Sequence, residues 1–136
     1  MKTMLWYKEY DYSITLGACR DFNQDTGLCL QVVLMRFLDE YTRYWASDSP
    51  SVNGLLVHLG SLYNQRDINK LFYYLFKECN SQIQFAEIED ATFRTGWSGN
   101  EDLKHISAPW QLVLVKMATD ISDYYSEHIQ TKKADT

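Results

Sequence analysis

Apolar and polar positions alternate from residue 5 to 16. Trp6, Tyr10, Tyr12, Ile14 and Leu16 recur in steps of two or four, with Lys8, Glu9, Asp11 and Ser13 between them. A period of two predicts a half-buried strand, or two short ones, ended by Gly17. The stretch "GACRDFNQDTG" then reads as a polar connection. From 27 to 46 the period changes: Leu30, Val33, Leu34, Phe37, Leu38, Tyr41, Tyr44 and Trp45 recur at three- and four-residue steps. That spacing predicts a central helix, with Asp25 or Thr26 as its N-cap. Ser49 and Pro50 mark the start of a second helix through Leu55, Leu56, Leu59 and Leu62. Asp67 is expected to cap a third, whose Ile68, Leu71, Phe72, Leu75, Phe76 and Cys79 keep helical spacing throughout.

Period two returns at "QIQFAEI" and again at Ala91, Phe93, Thr95 and Trp97, which predicts an antiparallel hairpin over 82–97. Gly96 and Gly99 bound the following loop, and Asn100 is a candidate cap. Residues 108–129 form the last expected helix, with Val113, Leu114, Met117, Ile121, Tyr124 and Tyr125 inward and 131–136 as a flexible tail. The pattern predicts one α+β domain over 1–136. Four helices form a layer against a two- or three-stranded antiparallel sheet, in which the N-terminal strand joins the hairpin.

At 136 residues the chain can bury a core without a disulfide or metal. Twenty aromatics, ten of them Tyr and four Trp, exceed what such a core needs, so some rings are expected at a protein–protein contact. The net charge of −5 disfavours direct nucleic-acid binding and favours a basic protein partner. Cys19, Cys29 and Cys79 form no C-x-x-C pair. Cys29 and Cys79 read as small core residues, and such usage suits a reducing, cytoplasmic setting. No apolar run reaches the length of a signal peptide or a membrane span.

Chemical motifs are weak. Gly96-Trp97-Ser98-Gly99-Asn100 lacks the last glycine of a nucleophile elbow. Capping explains the stretch better: Asn100 precedes Glu101 and Asp102, which suit the positive end of a helix. Cys19 lies beside Arg20, a cation that lowers a thiol pKa, but no motif joins it to His58, His105 or His128. Asp123, Glu127 and His128 share a helix face that could clip a divalent ion, and such surface sets are usually solvated. No phosphate loop is present. Neither a cofactor nor a metal is expected.

Acids concentrate in the C-terminal half. Residues 82–103 carry Glu87, Glu89, Asp90, Glu101 and Asp102 against Arg94 alone. Asp120, Asp123 and Glu127 follow at helical spacing, with no Lys or Arg between Lys116 and Lys132. Phe93, Trp97, Tyr124 and Tyr125 lie in or beside these acids. Acid with aromatic suits a surface that grips a basic protein, because charge speeds encounter and buried rings hold the complex. The expected partner-binding set is Glu87, Glu89, Asp90, Trp97, Asp120, Asp123, Tyr124 and Glu127. The expected function is non-enzymatic inhibition of a basic, nucleic-acid-handling protein, as an immunity protein against a nuclease toxin or a phage or mobile-element counter-defence protein. The alternatives are a small enzyme or enzyme subunit using the 94–105 loop, and a regulatory homodimer joined through Tyr44 and Trp45.

Overall fold

The computed structural model describes residues 1–96 and 108–134. Two strands, β1 (Lys2–Leu5) and β2 (Lys8–Asp11), precede α1 (Leu16–Thr26), α2 (Leu30–Trp45), α3 (Val52–Gly60), α4 (Gln65–Lys77), α5 (Phe85–Gly96) and α6 (Trp110–Ala134). The architecture is α+β and mostly helical, with six helices among the described residues rather than the expected four.

The N-terminal alternation folds into a hairpin of its own, with Leu5 paired to Lys8 and Thr3 to Tyr10. Its two-residue turn puts Trp6 and Tyr7 at φ 47° and 59°. Side chains with a Cβ hold that left-handed region at a cost of about 1–2 kcal/mol each. Thr3, Leu5, Tyr10 and Tyr12 turn inward, and the Tyr10 ring stacks on Phe76 at 4.5 Å and 2°.

The "polar connection" is helix α1. Thr15 caps it by accepting from the Ala18 amide, and Gly27 ends it at φ 77° with its N–H on the Asn23 carbonyl. Only Ala18 and Phe22 of this helix are buried, so its hydrophobic signal is faint. Thr26 therefore belongs to the end of α1. The N-cap of α2 is Cys29, which makes no side-chain cap bond. Caps shift elsewhere too: Ser51 caps α3 and Asn64 caps α4, the Asn64 side-chain oxygen accepting from the amide of Asp67 in the first turn of α4.

The largest correction is the expected hairpin at 82–97, because residues 85–96 of it are helix α5. Ile88, Ala91, Thr92 and Thr95 are buried, whereas Phe93 is 64% exposed. A strand would have put Phe93 on the same side as Ala91 and Thr95. The buried face is small and hydroxylic, which disguised a helical stripe. Thr92 bonds back to the Ile88 carbonyl and across to Asn69 of α4, and Thr95 bonds back to Thr92. Asp90 accepts two contacts from Arg94 Nε one turn on, a helix-surface pair.

One core cluster joins all these elements. α2 and α6 form its most extensive helix pair. Leu34, Phe37, Leu71 and Leu75 are fully buried, as their spacing implied. Cys29 and Cys79 are exposed rather than packed inside. α6 continues through Ala134, four residues into the segment expected to be a tail.

Candidate functional site

The inward stripe of α6 is Val113, Leu114, Met117, Ala118 and Ile121. Helical geometry would carry Tyr124 and Tyr125 inward on the same stripe. They are instead 46% and 45% exposed. By that turn the helix has reached the rim of the layer it packs on. Tyr124 and Tyr125 meet Met1, Ser13 and Ile14 across a groove of about 240 Å³. Tyr125 also borders a groove of about 270 Å³ lined by Ile14, Gln31 and Met35. The two rings lie edge to face at 5.8 Å. Asp123 and Glu127 are exposed beside them, and Asp120 is half-buried. Tyr12 is fully buried, and its hydroxyl has no hydrogen-bond partner among the described residues. Burial, and then the negative charge of Asp120, push the Tyr12 phenol up to about 12. It therefore stays neutral at physiological pH.

In the α5 cluster, Glu87 and Asp90 are engaged by neighbouring side chains. Glu87 sits at the junction of α5 and β2, where Lys8 Nζ reaches its carboxylate at 2.9 Å and the Tyr10 hydroxyl donates to the same oxygen. Burial works to raise the Glu87 pKa, but the Tyr10 and Lys8 interactions outweigh it and hold the carboxyl below its ordinary value. Burial and the same carboxylate push the Tyr10 phenol well above its usual range. Asp90 is held by Arg94, and the Arg94 guanidinium also lies over the Trp6 ring at 5.7 Å. Glu89 alone of the three carboxylates has no hydrogen bond or ion pair among the described residues, and it borders a separate groove. Glu89 is thus the one α5 acid that borders this groove, and the grooves beside Tyr124 and Tyr125 are lined by no acid among the described residues. Trp97 lies outside the described residues.

That separate groove had no counterpart in the sequence pattern. It has a volume of about 700 Å³ and lies among α3, α4, α5 and α6. Gln65 Nε2 donates to Asn69 Oδ1 at 3.0 Å, and the Thr92 hydroxyl donates to the same oxygen at 2.6 Å. Gln111 completes the polar lining. Its Nε2 reaches the Leu56 carbonyl at 3.5 Å, but its buried Oε1 has no partner among the described residues. An orphaned buried acceptor costs about 1–3 kcal/mol. The contributing residues come from four helices, so no local motif could have marked the place.

Of the catalytic candidates, Cys19, His58 and Arg94 lie among the described residues. Burial, and then Cys29, raise the Cys19 thiol pKa, the reverse of activation, and Arg20 pairs with Asp21 instead. His58 is engaged by Glu40 at 2.9 Å and stacked on Tyr44. Ser98, Asn100 and His105 lie outside the described residues. Tyr44 and Trp45, the expected dimer rings, pack edge to face at 6.2 Å, and Tyr44 packs against the core. Among the described residues, no group of three His, Cys, Asp or Glu is placed to hold a metal, and no helix is long and apolar enough to cross a membrane. No protein-family model, curated protein or solved structure matches the chain, so the functional reading rests on the residues themselves.

Proposed function

We propose that this protein binds a basic protein partner through the outer end of α6 and thereby blocks that partner's contact with nucleic acid. The observation that carries the reading is the pair Tyr124 and Tyr125. Both rings are nearly half exposed over shallow apolar grooves, in a stretch of helix that carries Asp120, Asp123 and Glu127. No Lys or Arg interrupts the sequence from 117 to 131. A protein that handles phosphate presents a basic surface, and an acidic face competes with phosphate for it. The rings supply the area that holds the complex once charge has brought it together. Two settings use such a plug: immunity against a nuclease toxin inside the cell that makes it, and counter-defence by a phage or mobile element. Such a protein needs no reaction of its own.

The α5 acids contribute less to this reading. Glu87 and Asp90 are already engaged by Lys8, Tyr10 and Arg94. The test compares two baits in a low-salt pull-down, the wild-type chain and an Asp123→Lys/Glu127→Lys variant, with captured proteins identified by mass spectrometry. A basic protein retained by the wild type and lost from the variant supports the proposal. Identical captures on both baits overturn it.

A further inference from the structure

The groove among α3, α4, α5 and α6 carries unmet hydrogen-bonding capacity of one kind. Gln111 is only 8% exposed and lines the groove. Its Nε2 lies against Gly60, where an added Cβ would stand 3.4 Å away, and near the Leu56 carbonyl. Its Oε1 has no hydrogen-bond partner among the described residues. Glu89 is exposed at the edge and is the one charged side chain among the described lining residues. Both groups are acceptors, one neutral and dry, the other anionic. Val57, Phe93 and Trp110 supply apolar and aromatic walls.

We propose that this groove binds a guanidinium or primary ammonium group carried on a short apolar stem. Such a group brings several N–H donors. One satisfies Gln111 Oε1, and the positive charge meets the Glu89 carboxylate. The stem lies along Val57 and the rings, as the methylenes of Arg and Lys do on apolar surface, and a cation over an aromatic face gains further. A volume of about 700 Å³ suits a small ligand or one long side chain. The group comes either from an Arg or Lys side chain of a protein or from a free amine. The inference uses none of the α6 rim residues and stands or falls apart from the function proposed for them.

The experiment is a titration of the ¹⁵N-labelled chain, followed at the side-chain amides of Gln111, Asn69 and Gln65. Three probes are used: butylguanidinium, its neutral isostere butylurea, and an acetylated and amidated Gly-Arg-Gly peptide. Butylguanidinium is expected to shift these amides saturably, more weakly as salt rises, and to bind at least about tenfold tighter than butylurea, the effect of one charge-assisted contact. Glu89→Gln, at an exposed position that leaves the fold intact, should weaken it by a similar factor. Gln111→Leu, which keeps the volume and removes the acceptor, should abolish the shifts of the remaining amides. The Asp123→Lys/Glu127→Lys variant should bind butylguanidinium like the wild type. A peptide that binds tighter than butylguanidinium identifies a protein side chain as the natural occupant, and a weaker one identifies a free amine. No saturable shift, equal binding of butylurea, or undiminished binding by Glu89→Gln overturns the proposal.

Discussion

The Tyr10 hydroxyl donates to the carboxylate of Glu87, 77 residues further along the chain, at the seam where β2 meets α5. Lys8 Nζ shares the acceptor at 2.9 Å. The bond ties the N-terminal hairpin to a helix that the local pattern hides, and it draws Glu87 into the scaffold. Glu87→Ala should therefore destabilise the fold by about 1 kcal/mol, the partly exposed setting trimming the larger value of a buried charged bond. Because the folded-state pKa of Glu87 lies below its unfolded value, the contribution is present above the unfolded pKa and is lost as pH falls through the folded one. Urea melts of wild type and Glu87→Ala from neutral pH down to about pH 2.5 should show the stability gap narrowing toward the acid end. A gap constant with pH would mean that charge plays no part in the bond.

Helix α5 is tested by its two faces. Ile88 is fully buried and Phe93 is largely exposed. Ile88→Ala should cost about 2–5 kcal/mol, and Phe93→Ala no more than about 1 kcal/mol. A hairpin at 82–97 would put Phe93 inward with Ala91 and reverse the order. Chemical denaturation of the two variants decides it.

Gln111 supplies a prediction of opposite sign. Replacing an orphaned buried acceptor with an apolar group of similar volume removes its desolvation cost. Gln111→Leu should raise stability by about 1 kcal/mol, read as a higher thermal midpoint. A lower midpoint would mean that the carbonyl is satisfied in solution.

On the α6 rim, charge and area should separate kinetically. Against a captured basic partner, Asp123→Lys with Glu127→Lys should slow association, and the loss should shrink as salt rises. Tyr125→Ala should speed dissociation with little salt dependence. Both rings are nearly half exposed, so Tyr124→Ala and Tyr125→Ala should each lower stability by about 1 kcal/mol or less. Surface plasmon resonance at two salt concentrations and a thermal melt measure both effects. Wild-type rates for the charge reversals would leave the acidic face as solvated surface.

In the centre of the fold, Leu34→Ala and Leu75→Ala should each cost about 2–5 kcal/mol, since both side chains are fully buried in the one core cluster.

Strong periodicity decided much of this from sequence alone. α4 repeats large apolar residues at every helical step, and α2 does so over most of its girth. Their core residues Leu34, Phe37, Leu71 and Leu75 were legible because burial and spacing coincide. The acidic run of α6 was equally legible, since charge is a property of composition. Local pattern failed where anchors were sparse or small. α1 is held by Ala18 and Phe22, and the buried side of α5 is mostly Ala and Thr, whose hydroxyls are satisfied by carbonyls one turn back and by Asn69. Tertiary structure alone decided exposure at the ends of elements. Tyr124 and Tyr125 follow the inward spacing yet lie at the rim, because the layer beneath them stops. It also decided which acids are free, since the partners of Glu87 are far away in the chain, and it gathered Gln65, Asn69, Glu89 and Gln111 into one groove. Such groups meet only when helices pack, and no window along the chain contains them all.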